Sequence, residues 1–288
     1  MTLTRTLSQA IALASALGLS LGVTASNGAA QKQTAPAAAA QNSTTQKQAA
    51  PAPAAQNDAS SKSAAGGKVD PDAVEALKEM STYLGTLRSF EVTANVTQDL
   101  VTAEGQRVQL GQVAQYKVRR PNGFQIDLTT DFRKRRFYFD GKQFTVFAPE
   151  LGFYATTEAP PTIRETIDLV EKKLGIDLPL DDLFRWNDPD NNREQQLTSG
   201  FEVGPATVDG VATDHYAFRE GNHDWEVWIQ QGERALPRKL VIVDRSDEAH
   251  PTYVARLSWK INPAIASNEF TFKPGPNAKA IQFGVVGQ

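Results

Sequence analysis

The sequence predicts a mainly β protein with helices (α+β class): a curved antiparallel sheet or incomplete β-barrel of about 10–11 strands, with an N-terminal helix and an inserted helical lid. Apolar and polar residues alternate along two stretches, residues 89–157 and 201–262, as in strands that bury one face. Turn sequences such as Asp140-Gly141 divide these stretches into short segments. Between them, residues 162–184 change to a helical period.

The N-terminus is typical of an exported protein. Residues 1–25 form a secretory signal peptide, in which Arg5 precedes the apolar run AIALASALGLSLGV. Val23 and Ala25 occupy the small-residue positions before a cleavage site. The run of about 14 residues is shorter than the roughly 20 that span a bilayer, which favours cleavage near Ala25 over an uncleaved anchor.

The next segment, residues 26–68, is rich in Ala, Gln, Pro and Ser and has few residues that could form a core. This composition predicts a disordered linker, because too little apolar surface is available to offset the conformational entropy lost on folding. Residues 69–288, about 220 residues, are therefore expected to form a single domain.

Composition excludes several functions. The chain has no cysteine, so disulfides, a lipid-modified N-terminal cysteine and thiolate chemistry are excluded. Export without cysteine favours a bacterial periplasmic or secreted protein. The formal net charge of −3 provides no basic field for nucleic acid. No cofactor is expected, and the protein is expected to be a monomer.

The domain opens with a predicted helix from about residue 71 to residue 84. Asp70 is suited to the N-cap and Pro71 to the first helical position. Apolar residues then recur at helical spacing, and Gly85 is a plausible stop.

Strands follow in two meanders. SFEVTANVTQDL begins the first, which continues through RVQLGQVAQYKVRRP and the hairpin RRFYFDGKQFTVFAP. The second carries turns at Asp209-Gly210, Gly221-Asn222 and Gly232-Glu233. Because sheets twist, one of this size is expected to curl rather than stay flat. Bulky residues on both faces, such as Phe137 and Tyr138, indicate a sheet that is covered on both sides.

The inserted segment predicts an amphipathic helix, because Ile163, Ile167, Val170 and Leu174 recur at steps of four, three and four. It could be a fixed core-packing helix or a movable lid over the concave face of the sheet. Pro160-Pro161 and residues 175–179 would supply hinges. Leu180, Leu183 and Phe184 would add a short second cover.

The segments YKVRRPNGFQIDL, FYFDGKQFTVFAPELGFYA, LPRKLVIVDRSDEAHPTYVARLSWKINP and FTFKPGPNAKAI, in this order, carry a family resemblance. The chain resembles the bacterial periplasmic family of unknown function 2092, which is similar to the outer-membrane lipoprotein-sorting carriers (LolA-like and LolB-like proteins). The resemblance covers residues 69–281. It implies an incomplete antiparallel barrel, closed by helices around an apolar cavity for acyl chains, and it implies no catalysis. The functional residues of the carriers are not matched one for one.

The candidate residues for an apolar cavity are those that alternation places on the buried face. They are Val92, Phe124, Ile126, Phe137, Phe139, Trp225, Val227 and Trp259. The densest basic run, Arg133 to Arg136, is either a solvated turn or a contact for acidic lipid headgroups or a protein partner. Arg119 and Arg120 are candidates to extend it, so that the proposed contact residues are Arg119, Arg120, Arg133, Arg135 and Arg136.

Motifs for catalysis and metals are weak. The histidines are scattered, although His215 and His223 could approach each other across a hairpin. The Asx-rich sequence NDPDNNRE begins like a calcium loop but has Arg193 where that loop needs glycine. Asp181-Asp182 suits helix capping better than catalysis. No metal site is predicted.

Three functions remain open. The first is a periplasmic, non-catalytic binder of an acyl chain, a lipid or a lipidated polypeptide. The second is an interaction or sensor module of the cell envelope with a filled core, in contact with an envelope protein. The third, and least favoured, is an enzyme, because no nucleophile, base and acid stand in a recognisable arrangement.

Overall fold

The structure, a computed structural model, describes residues 68–180, 184 and 193–284. The predicted signal peptide, nearly all of the linker, Asp181-Asp182, Leu183 and residues 187–192 of the Asx-rich loop lie outside this part of the chain.

Two α-helices and one sheet make up the described domain. The helices are α1 (Pro71–Thr86) and α2 (Ile163–Leu174). The strands are β1 (Ser89–Val101), β2 (Arg107–Arg119), β3 (Gly123–Thr130), β4 (Lys134–Phe139), β5 (Gln143–Ala148), β6 (Phe153–Glu158), β7 (Leu197–Val208), β8 (Val211–Glu220), β9 (His223–Gln230), β10 (Pro237–Asp244), β11 (Thr252–Ile261) and β12 (Lys279–Ala280).

All strands belong to one sheet of 12 strands, in the order β12-β6-β5-β4-β3-β2-β1-β11-β10-β9-β8-β7. Neighbours are antiparallel, except that β12 runs parallel to β6. β1 pairs with β11, so the two predicted meanders join through the middle of the sheet. The mainly β prediction is confirmed. One strand more than the expected 10–11 is present, because the two residues of β12 are too short to show an alternating pattern.

The inner face is the face of the sheet against which both helices pack. The buried residues of the inner face lie opposite one another on neighbouring strands. Val92 lies opposite Tyr116, Tyr116 opposite Ile126, and Ile126 opposite Phe137. All four are buried in one core cluster with Met80 and other residues of the helices. The alternation in the sequence therefore identifies the buried face correctly.

Helix α1 begins as predicted. The Asp70 carboxylate accepts a hydrogen bond from the backbone N–H of Asp72 at 3.0 Å. The Asp70 N–H donates to the carbonyl of Gly200 at 2.8 Å, which fixes the start of α1 beside β7. The helix continues through Gly85 and ends at Thr86, one residue beyond the predicted stop.

The outer face is covered in part by the C-terminal strap, residues 263–284. The ring of Phe272 lies 5.4 Å from that of Tyr138, 5.2 Å from that of Phe147 and 4.9 Å from that of Tyr154. β12 then pairs with β6, and the ring of Phe283 lies 6.4 Å from that of Phe144 on the inner side. The strap thus passes around the edge of the sheet, which explains the bulky residues on both faces of β4 and β5.

Candidate functional site

Helix α2 lies within the predicted helical segment and runs from the first to the last of the four predicted inward residues, and both of its ends are capped. The Thr162 hydroxyl donates to the Glu165 carboxylate at 2.7 Å and accepts from the Glu165 N–H at 3.3 Å, so Thr162 is the N-cap of the helix. Gly175 ends the helix in the left-handed conformation, with φ of 61°. The residues at both ends of α2 therefore satisfy part of its terminal backbone hydrogen bonding locally.

The predicted inward face of α2 is also confirmed. Ile163, Ile167 and Val170 are buried, and Leu174 is partly buried against the core. Thr166 is buried beside them, which the apolar pattern does not predict. Its hydroxyl donates to the carbonyl of Pro160 at 3.1 Å, so the polar group is satisfied.

We call residues 162–180 together with Phe184 the lid. Hydrogen bonds join its described residues to the sheet side of the domain near both ends of α2. The Ile163 N–H donates to the carbonyl of Pro121 at 2.9 Å, next to the end of β2. The hydroxyl of Tyr116 donates to the carbonyl of Pro179 beyond the helix. One attachment therefore lies at each end of α2, on either side of the inward stripe.

Phe184 is the centre of the covered region. Its side chain is only 7% exposed. Its ring lies 6.4 Å from that of Phe90, 6.5 Å from that of Tyr116 and 6.4 Å from that of Phe124. Phe90 and Tyr116 are absent from the predicted cavity residues, although alternation places both on the inner face. Phe184 thus covers the aromatic residues at the middle of the inner face.

The eight predicted cavity residues share the inner face. Seven are buried, and Trp259 is partly buried, with its ring 5.5 Å from that of Phe90. The indole N–H of Trp259 donates to the carbonyl of Pro237 at 2.8 Å. These residues pack in the core cluster together with Ile163, Ile167 and Val170 of the lid. Leu180 is partly buried against the same cluster.

Among the described residues, cavities lie on the outer face and at the rim of the inner face, and none of the eight residues lines either of these two. The first, of about 180 Å³, lies on the outer face between the strap and β4–β6, and Tyr138, Asp140, Thr145, Tyr154 and Phe272 are among its lining residues. The second, of about 140 Å³, lies where β2 ends and α2 begins. Its lining residues are Arg120, Pro121, Thr162, Ile163, Arg164 and Phe184.

The predicted basic residues form two separate groups. Arg119 and Arg120 lie at the β2–β3 turn, whereas Arg133, Arg135 and Arg136 lie at the far end of β3, beside the β3–β4 turn. The Arg119 guanidinium lies 5.0 Å from the Phe270 ring centroid on the outer side. The Arg136 guanidinium pairs with Asp127 at 3.0 Å. A single basic patch is therefore not formed.

The histidines do not come together. His215 lies opposite Trp228, with the two rings stacked at 3.8 Å on the outer face. His223 is on the inner face, in register with Glu220 and Asp244. Within residues 68–180, 184 and 193–284, no group of three or more His, Asp or Glu residues could hold a metal ion.

Burial of His223 predicts a dependence of stability on pH. Burial lowers the pKa of this imidazole below 6.5, although the carboxylates of Asp244 and Asp224 act in the opposite direction. The unfolded chain therefore binds the proton at higher pH than the folded protein does. The contribution of His223 to the free energy of unfolding should therefore be constant above about pH 6.5. Below that pH, the free energy of unfolding should fall.

Urea unfolding between about pH 5 and pH 7.5 measures this effect. His223→Gln should flatten the slope below pH 6.5, whereas His250→Asn, at an exposed turn, should leave it unchanged. An unchanged slope in His223→Gln would assign the pH dependence to other groups.

The part of the chain that matches known proteins is the folded domain. Residues 73–284 match a family described as predicted periplasmic proteins (DUF2092). No curated protein matches the sequence. Within the described residues, no helix is both long enough and apolar enough to cross a membrane.

Several solved structures are similar at low identity. The lipoprotein LppX of Mycobacterium tuberculosis is 15% identical over 68% of this chain and 98% of its own, with a TM-score of 0.43. A putative outer membrane lipoprotein-sorting protein domain from Vibrio parahaemolyticus is 9% identical over 69% of this chain and 96% of its own, with a TM-score of 0.32. A chain of the Pseudomonas aeruginosa MucA/MucB complex is 15% identical over 73% of this chain and 63% of its own, with a TM-score of 0.40.

Proposed function

Since the chain belongs to the family of predicted periplasmic proteins of unknown function 2092, we propose that it is a periplasmic, non-catalytic binding protein for a hydrophobic ligand. The ligand is an acyl chain, a lipid or a lipidated polypeptide. It is held between the inner face of the sheet and the lid, and the signal peptide at residues 1–25 directs the protein to the periplasm.

The observation that carries this proposal is the position of Phe184. Its ring covers Phe90, Tyr116 and Phe124 without being part of the sheet or of α2. An acyl chain that displaced this side chain would meet the same three rings. Each Å² of apolar surface that the ligand removes from water contributes roughly 25 cal/mol to the free energy of binding. The cost of lost translational, rotational and side-chain freedom is subtracted from this sum.

The lid has the attachments expected of a segment that opens. α2 keeps its own N-cap, Thr162, and its left-handed C-terminus at Gly175, which favours movement of the helix as a unit. The hydroxyl of Tyr116 and the carbonyl of Pro179 join the far end of the lid to the sheet, and this hydrogen bond would separate when the lid opens. The N-terminal attachment, from Ile163 to Pro121, would then act as the hinge.

The proposal is tested by native mass spectrometry of the protein purified from the periplasm, followed by titration with palmitate and with the dye N-phenyl-1-naphthylamine. We expect a single acyl ligand per chain, either copurified or acquired in the titration. If neither palmitate nor the dye binds, and no lipid copurifies, the proposal is wrong.

The alternative function is an envelope interaction or sensor module with a solid core. The observation that favours it is that the eight predicted cavity residues belong to, or pack against, one core cluster that includes residues of both helices, and line neither of the two cavities. Its contact surface would be the β3–β4 and β5–β6 turns, where Phe132 is 71% and Leu151 is 63% exposed. Arg133, Arg135 and Arg136 lie beside Phe132 and would contact a protein partner or lipid headgroups.

A further inference from the structure

The cavity of about 180 Å³ lies on the outer face, on the opposite side of the sheet from the lid. Its floor is a row of hydroxyl-bearing residues on three neighbouring strands, because Tyr138 lies opposite Thr145 and Thr145 lies opposite Thr156. The strap forms the opposite wall, in which Phe272 is the largest apolar side chain together with Phe270. The cavity therefore lies between a hydroxyl-rich surface and a mainly apolar one.

The strap is attached to the sheet at several points around this cavity. The Thr271 hydroxyl donates to the Asp140 carboxylate at 3.4 Å. The ring of Phe272 lies 4.9 Å from that of Tyr154, and β12 then pairs with β6. Walls that are attached on both sides of a cavity give it a pre-formed shape, so a ligand loses little affinity to the ordering of protein groups.

Most of the polar side chains that line the cavity are uncharged. Thr145 is only 4% exposed, and its hydroxyl lies 2.9 Å from that of Thr156. Each of these hydroxyls can make a further hydrogen bond. Among the described residues, the hydroxyl of Tyr154 and the side-chain amide of Gln143 have no hydrogen-bond partner. Hydroxyl and amide groups both donate and accept, which suits a ligand that carries hydroxyls itself.

The charge of the lining comes from a single carboxylate. Among the described residues that line the cavity, Asp140 is the one acidic residue and none is cationic. Its Oδ1 atom accepts the backbone N–H groups of Lys142 at 3.1 Å and Gln143 at 3.0 Å, which fixes the β4–β5 turn. Its Oδ2 atom accepts the Thr271 hydroxyl and can accept one further hydrogen bond from a ligand.

This lining disfavours apolar and anionic ligands. An apolar molecule would leave the buried Thr145 hydroxyl and its neighbours without water or another partner. An anion would lie beside Asp140, and the guanidinium of Arg136 on the same face is already paired with Asp127 at 3.0 Å. A neutral sugar avoids both costs, because its hydroxyls meet hydrogen-bonding groups while its C–H groups pack against Phe272.

We propose that this cavity binds a neutral sugar, as a second ligand site on the face of the sheet opposite the lid. The groups that bind the sugar hydroxyls are those of Thr145, Thr156, Tyr154 and Gln143. The inner face takes no part in this site, so the inference goes beyond the proposed function and does not depend on it. The protein could then contact a glycan on one face and hold a hydrophobic ligand on the other.

The test is ¹⁵N NMR titration of the purified protein with N-acetylglucosamine, maltose and glucuronate. At least one of the two neutral sugars should shift the backbone N–H resonances of Thr145, Thr156 and Phe272, with a dissociation constant of about 1 mM or lower. Glucuronate should bind at least about tenfold more weakly than that sugar, because its carboxylate would lie beside Asp140. Palmitate should not displace the sugar.

Two conservative substitutions locate the sugar. Tyr154→Phe keeps the ring that contacts Phe272, and Thr145→Val keeps the shape of the side chain. Each should weaken sugar binding about fivefold, because it removes one hydrogen bond. Tyr83→Phe is the matched control, since it removes the same hydroxyl from α1, and it should keep the full affinity. Gln143→Ala, at an exposed position, replaces Thr145→Val if that variant does not fold.

The inference is overturned if neither neutral sugar shifts these resonances at up to about 10 mM. Equal binding of glucuronate would also contradict it, as would full affinity in both Tyr154→Phe and Gln143→Ala. Failure of palmitate to bind would overturn the proposed function alone, because the two sites lie on opposite faces of the sheet.

Discussion

Replacing Phe184 with alanine is expected to lower the free energy of unfolding of the ligand-free protein by about 3 kcal/mol and to raise its affinity for palmitate about tenfold. The first effect follows because a buried ring that contacts three aromatic residues is removed. The second follows because the ligand no longer has to displace that ring. Urea unfolding with and without palmitate measures both effects.

Phe270→Ala is the control for this prediction. Phe270 is buried like Phe184, but it belongs to the strap and packs on Gly123, away from the lid. It should lose comparable stability without any gain in affinity. A Phe184→Ala protein that loses stability and binds palmitate no better than before would identify Phe184 as an ordinary core residue.

Val170→Asp is expected to release the lid while the sheet stays folded. Val170 is fully buried on the inward face of α2, and an unpaired carboxylate there would cost several kcal/mol if the helix could not move. If α2 can move away from the sheet, the substitution costs at most the free energy that holds the helix in place, and the rest of the domain stays folded. We expect increased dye binding at the exposed aromatic residues and a cooperative unfolding transition that is preserved.

Lys172→Asp introduces the same side chain on the exposed side of the same helix. It should change stability by less than about 1 kcal/mol, through the helix dipole alone, and should not change dye binding. If Val170→Asp instead unfolds the whole domain, α2 is a fixed part of the core, and the envelope interaction module becomes the better account.

The predictable parts of this fold are those with a strong period. Helix α2 could be predicted, because four apolar residues at helical spacing, from Ile163 to Leu174, mark one face. The inner face could be assigned because the side chains of a strand alternate, so that Val92 and Trp259 fall on the same side. Alternation along β8 and β9, with Glu220 opposite His223, likewise places His215 on the outer face and His223 on the inner face.

The unpredicted parts depend on contacts between segments that are distant in sequence. The strap has no period, and nothing local indicates that Phe272 packs on β4–β6 or that Phe283 returns to the inner side. The two basic groups lie close in sequence, but the eight residues of β3 separate them by roughly 26 Å. Phe184 could be predicted as a cover but not as the residue at the centre of the site.

Fluorine NMR of protein labelled with fluorotryptophan tests the central claim most directly. Trp225 and Trp259 lie on the inner face and Trp228 on the outer face, so the protein carries a probe on each side of its sheet. If a fatty acid binds between the inner face and the lid, palmitate should shift the resonance of Trp259, which is next to Phe90, and leave that of Trp228 unchanged. A shift of Trp228 alone, or no shift of Trp259 at saturating palmitate, would contradict the account.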